Sequence, residues 1–133
     1  MIKLFFVGIL IFSMAAVTSA SAADFKVEGT TFSLDGNPFQ IRAGEMHYPR
    51  VPRKEWVDRI RMAKAMGLNT ITTYVFWNLH EQKRGEHDFT GDKDLVAFVK
   101  LCGEEGMQAI VRPGLYVCAE WDLGGLPAWL LSA

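Results

Sequence analysis

From Phe25 onward the chain switches between two hydrophobic periods. Phe25 and Val27, then Phe32 and Leu34, recur at every second position, and Asp35-Gly36 is a turn signal. The stretch predicts a short β-hairpin that leads into a strand near Phe39 to Gly44. In "PRKEWVDRIRMAKAMG" the apolar residues Trp56, Ile60, Ala63 and Met66 fall at helical spacing. Pro52 stands where a first helical turn tolerates proline and Gly67 stands as a stop, so a helix with one buried face is expected. Asn69 to Trp77 is β-branched and aromatic, which predicts a strand. A second helix follows in "DKDLVAFVKLCGEEG", with Leu95, Phe98, Val99 and Cys102 on one side and Gly106 as its end. "MQAIVRPG" completes the pattern as a third strand, ended by Pro113 and Gly114.

Strand, helix, strand, helix, strand implies parallel strands joined by crossovers. A doubly wound sheet and a (β/α)-barrel share this opening, and the loops separate them. Residues capable of chemistry sit just after the strands: Glu45 and His47; Tyr74, Trp77, Asn78, His80 and Glu81; Arg112, Tyr116 and Glu120. In a (β/α)8 barrel that is the face on which active sites are built.

Ahead of this pattern, residues 1–22 combine Lys3, an apolar run from Leu4 to Val17 and the small ending Ala20-Ser21-Ala22. The run is short for a membrane span, and the segment reads as a signal peptide cleaved after Ala22, with export to a periplasm or out of the cell. An uncleaved anchor is the alternative. With 14 Lys and Arg against 15 Asp and Glu, charge gives no sign of nucleic acid or of an anionic membrane surface as partner. An exported chain permits a disulfide between Cys102 and Cys118, yet Cys102 lies in an apolar helical pattern and reads as a buried small hydrophobe.

Several chemistries lose support. No G-x-G-x-x-G or G-x-x-x-x-G-K-[ST] follows any strand, no G-x-S-x-G is present, and His47, His80 and His87 have no common zinc-ligand spacing. His80-Glu81 reads as a hydrogen-bonding loop pair. What remains at the strand ends is aromatic rings mixed with carboxylates and amides, a set that suits a neutral polyhydroxylated ligand. Tyr74, Trp77, Tyr116 and Trp121 could pack on a sugar ring. Each could equally be core or support, and Glu120 alone reads as a loop carboxylate paired with a neighbour such as Arg112.

"SLDGNPFQIRAG", "GEMHYPRVPRKEW", "GLNTITTYVFWNLHE" and "RPGLYVCAEWDLGGLPAWLL" occur in this order from Phe32 to Leu131. Together they resemble the start of the β-galactosidases of glycoside hydrolase family 35. The resemblance implies an α/β fold made of the first three βα units of a (β/α)8 TIM barrel, hydrolysis of a terminal β-galactosyl bond with retention, and no metal or organic cofactor. It also implies a β-galactoside oligosaccharide or glycoconjugate as partner, with no nucleic acid and no membrane after signal removal. Tyr74 matches the family's galactose-contacting tyrosine, Val117, Cys118 and Ala119 match the stretch lining the pocket, and Glu120 matches the glutamate that accepts hydrogen bonds from sugar hydroxyls. Gly124, Gly125 and Pro127 would shape the turn behind Glu120 into a short helix containing Trp129. Gln82 and Leu115 depart from the family, which commonly has proline at both places.

A retaining glycosidase needs two carboxyl groups about 5–5.5 Å apart. In the family these follow the fourth and seventh strands, the first in a Gln-x-Glu-Asn-Glu type motif that is not found in these 133 residues. The expectation is therefore an incomplete barrel over 23–133 with no catalytic residue of its own, the N-terminal part of a longer β-galactosidase. Such a piece leaves two sheet edges uncovered and is expected to aggregate when alone. The alternatives are a non-catalytic sugar-binding or interaction piece, or a related barrel that cleaves another β-glycoside.

Overall fold

Asp35 and Gly36 both take positive φ, 51° and 77°, as the central pair of a tight hairpin turn requires. In the computed structural model, which describes residues 23–132, that turn joins two strands of a three-stranded antiparallel sheet. Its strands are β1 (Phe25–Glu28), β2 (Thr31–Leu34) and β3 (Asn37–Pro38). The expected hairpin is thus a meander, with Glu28 opposite Thr31 and Leu34 opposite Asn37. Phe25 and Phe32 stack at 5.5 Å. The signal-peptide reading of 1–22 falls outside the described residues.

Contacts divide the chain after Phe39. The unit from Gln40 onward contains a second sheet of β4 (Ala43–Glu45), β5 (Thr70–Val75) and β6 (Gln108–Pro113). Its order is β4-β5-β6, and both pairings are parallel. Helices α1 (Trp56–Ala65) and α3 (Leu95–Glu104) lie in the two connections, so the α/β alternation read from the sequence is present.

β4 starts at Ala43, later than expected, because the preceding residues are bound by a side chain in place of a strand ladder. Asn69 donates from Nδ2 to the Gln40 carbonyl at 2.8 Å, and its Oδ1 accepts the Arg42 N–H at 2.8 Å. The β5 strand stops at Val75, short of the expected Trp77. The N–H groups of Leu79 and His80 turn back to the Phe76 carbonyl and begin a short helix, α2 (Trp77–His80), that was not anticipated.

Trp56, Ile60 and Ala63 form the buried face of α1, while Met66 is 75% exposed, against expectation. The helix ends at Ala65, and Gly67, at φ 89°, turns the chain away, which leaves Met66 outside the face. On α3, Asp94 caps the first turn by accepting the Ala97 N–H at 2.9 Å, and Phe98 and Cys102 are buried. These side chains join Tyr48, Ile71 and Met107 in the main core. Both cysteines are free; burial in that core pushes the Cys102 thiol up to about 11, and Cys118 is exposed. No described helix is long and apolar enough to cross a membrane.

Candidate functional site

Because β5 lies between β4 and β6, residues from both outer strands meet across its carboxyl end. Tyr74 pairs in register with Arg112. The Arg112 guanidinium lies 4.3 Å from the centroid of the Tyr74 ring, and its Nη1 donates to Glu45 at 3.2 Å. Arg112 therefore has Glu45 as its carboxylate partner, and the reading of Glu120 as a loop carboxylate paired with a neighbour such as Arg112 does not hold for Arg112: β4 presents Glu45 on the sheet beside it, whereas Glu120 belongs to the loop beyond β6. Both members of the observed pair are about half exposed, so it contributes little to stability.

Beneath Tyr74 lies a small apolar cluster. Phe76, Val117 and Ala119 are buried in it, and Tyr74, Leu79 and Trp121 pack against it. His47 touches the same group, 5.4 Å from Tyr74 and edge-on to Phe76 at 5.4 Å. Its Nδ1 is buried without a hydrogen-bond partner among the described residues. Burial lowers the affinity of His47 for a proton, so the ring is neutral near pH 7.

The segment after β6 alternates in exposure. Val117 and Ala119 point into the cluster, whereas Cys118 and Glu120 are exposed. Val117 and Ala119 consequently have only main chain to offer a ligand, while Tyr74, Cys118 and Glu120 can present side chains. Glu120 sits at φ 45°, a conformation that costs a non-glycine residue energy unless its surroundings hold it.

Three sets of contacts hold this loop. Trp121 stacks on Phe76 at 4.1 Å and donates its indole N–H to Asn78 Oδ1 at 2.8 Å, while Asn78 donates to the Asp122 carbonyl at 3.0 Å. Within the loop, the Val117 N–H bonds the Gly124 carbonyl at 2.7 Å, and the Gly124 N–H bonds Trp121 at 2.8 Å. Finally, Arg50 Nη2 donates to the Ala119 carbonyl and, at 2.9 Å, to the Glu120 carbonyl, with the guanidinium 5.0 Å from the Trp121 ring centroid. Gly124 and Gly125 both take positive φ, and the expected short helix follows as a 3-10 segment, Ala128–Ser132.

The remaining candidates have structural partners. Trp77 donates its indole N–H to Glu81, whose carboxylate also accepts the Gly85 N–H at 2.7 Å. These bonds, the Gly85 one foremost, hold the Glu81 carboxyl below the usual carboxylate range. The Glu81 carbonyl accepts the Trp129 indole N–H at 3.0 Å, and Trp129 meets Trp77 edge-on at 5.7 Å. His80 is hydrogen-bonded through Nε2 to the Tyr48 hydroxyl and through Nδ1 to the Asp88 carbonyl at 2.8 Å. The loop-pair reading of His80-Glu81 agrees with these contacts. Tyr116 is 63% exposed, and its ring lies against Gly124.

Sequence reasoning missed Arg50 altogether and missed how Asn78 acts. Nothing in sequence marks an arginine whose acceptors are main-chain carbonyls 69 and 70 residues away. Asn78 was legible only as a polar residue after a strand.

Comparison with known proteins adds to this geometry. Residues 31–133 match the family model for Glycosyl hydrolases family 35. A beta-galactosidase of Xanthomonas manihotis is 50% identical over 118 residues, covering 89% of this chain and 20% of that protein. The human beta-galactosidase-1-like protein 3 is 57% identical over 101 residues, covering 76% of this chain and 16% of that protein. The chain thus spans about a fifth or less of the length of the curated relatives it matches. Among solved structures, an exo-beta-1,4-mannosidase from Opitutaceae bacterium strain TAV5 has a TM-score of 0.60 at 20% identity, over 71% of this chain and 18% of that one. At that identity the likeness concerns fold alone.

Proposed function

The chain belongs to the glycosyl hydrolases of family 35, and from that membership we propose that it builds part of the galactose pocket of an exported, retaining exo-β-galactosidase. In this reading β4, β5 and β6 with their helices are the first three units of a (β/α)8 barrel, and the stretch over 1–22 is the export signal. Tyr74 supplies a ring and a hydroxyl, Cys118 and Glu120 face the sugar, and Val117 and Ala119 carry the wall. Glu120 accepts hydrogen bonds from sugar hydroxyls, which a carboxylate does strongly when it is held in place.

The observation that carries the reading is the gathering of Tyr74, Val117 and Ala119 around Phe76, with Glu120 exposed beside them at positive φ. A carboxylate kept in a costly backbone conformation, next to aromatic packing, suits a neutral polar ligand better than a role in packing. The part assigned to this chain is binding. Retention would need two carboxyl groups about 5–5.5 Å apart. Glu81 is committed to Trp77 and Gly85, and Glu45 to Arg112, so neither is given that chemistry.

Titration with galactose and with glucose, followed by tryptophan fluorescence on chain dilute enough to remain monomeric by light scattering, tests the proposal. Galactose is expected to bind more tightly, and Glu120→Gln should weaken it by about tenfold, the loss of one charge-assisted hydrogen bond. Since the side chain is exposed, stability should change by no more than about 0.5 kcal/mol. Equal affinity for the two sugars, or an unaltered Kd in Glu120→Gln, would reject the assignment.

A further inference from the structure

We propose that Arg50 is the positioning residue for the Glu120 carboxylate, a role that rests on the sugar-binding reading above for its purpose but not for its geometry. Arg50 ends the 3-10 turn Tyr48–Arg50 in the connection between β4 and α1. The backbone on both sides of it is fixed. The Trp56 indole N–H bonds the Tyr48 carbonyl at 3.1 Å and the Val51 carbonyl at 2.8 Å, and the buried Tyr48 hydroxyl is bonded to His80. A guanidinium on so rigid a base can impose its position on whatever it binds.

What it binds is the pair of main-chain carbonyls that flank the Glu120 Cα, one from the Ala119–Glu120 peptide and one from the Glu120–Trp121 peptide. One nitrogen bridging two successive carbonyls, with the guanidinium carbon 5.0 Å from the Trp121 ring centroid, orients the peptide that leads into the positive-φ residue. Arg50 makes no ion pair with a carboxylate among the described residues, so its charge is directed at these carbonyls and at the ring. Glu120 likewise makes no side-chain hydrogen bond or ion pair among the described residues, which leaves backbone placement as the means by which its carboxylate is aimed. Lysine does not reproduce this arrangement, because its compact, strongly hydrated ammonium lacks the delocalised guanidinium that approaches the Trp121 ring while one of its nitrogens bridges the two carbonyls.

The test combines amide exchange with ligand affinity in the chain and its Arg50→Lys, Arg50→Ala and Glu120→Gln forms. The Val117 and Gly124 amides report the loop, and the Ile71 and Thr72 amides report β5. With Arg50→Lys, exchange at Val117 and Gly124 should rise about tenfold with β5 unchanged, and galactose should bind about tenfold more weakly, as expected for one lost charge-assisted hydrogen bond. Added guanidinium ion should recover part of the galactose affinity of Arg50→Ala, which a merely destabilised protein would not show. Exchange that rises equally in β5 would make Arg50 a general stabiliser and overturn the proposal. So would loop exchange and galactose affinity unchanged in Arg50→Lys while Glu120→Gln loses the sugar, an outcome that leaves the sugar reading intact. If the unsubstituted chain binds no galactose yet Arg50→Lys loosens the loop, the sugar reading fails and the hold of Arg50 on the loop stands.

Discussion

Gly124 meets two demands at a single position. Its φ is 60°, and a Cβ added there would lie 2.1 Å from the Tyr116 ring. Alanine in the left-handed region costs about 1–2 kcal/mol by itself, and the clash requires Tyr116 to move as well. Gly124→Ala is therefore expected to open the loop, speeding exchange of the Val117 amide by about tenfold or more while β5 amides exchange as before. An unchanged Val117 amide would show that the loop does not depend on this turn. The need for glycine here was legible in "DLGGLPAW" as a turn signal. The particular reason, a tyrosine eight residues earlier folding over the glycine, was not, because it depends on where β6 releases the chain.

At the scale of elements, the sequence was most informative where burial and period coincide. Trp56, Ile60 and Ala63 on α1, and Phe98 and Cys102 on α3, are buried as their spacing predicted. It was least informative where side chains replace backbone pairing: Asn69 delays β4, and the turn after Phe76 cuts β5 short. The contact between the Tyr48 turn and α2 was also invisible, since a histidine after a strand does not disclose its partners. That contact has a pH signature. Burial lowers the affinity of His80 for protons below its ordinary value of 6.5, so the unfolded chain takes up protons first on acidification. Stability should thus fall as pH drops through and below about 6.5. Burial also raises the Tyr48 phenol above its ordinary value of 10.0, so stability should fall again in strongly alkaline solution as the unfolded chain ionises first. Urea midpoints between about pH 7.5 and 5.5 check the acid arm. His47, lowered in the same direction, adds to it, and the slope should flatten in His80→Gln. A midpoint that rises on acidification would contradict this account.

For the whole molecule, the family was legible because four motifs occur in order, while the geometry joining them was not. Membership in family 35 and the α/β alternation could be read from strings of residues. The meeting of Glu45 and Arg112 across Tyr74, and the hold of Arg50 on the Glu120 loop, needed the parallel register of three strands. The span of the Arg50 contact carries a further consequence, for the order of folding. Joining residues 69 and 70 positions apart carries a loop-closure cost of about 4 kcal/mol, which uses up most of what two carbonyl bonds contribute in an open chain. Pairing of β5 with β4 and β6 must first bring the two loops together. In a refolding time course, tryptophan burial should come early and protection of the Val117 and Gly124 amides should come last, so that a chain with native-like secondary structure for a time lacks a set Glu120 loop.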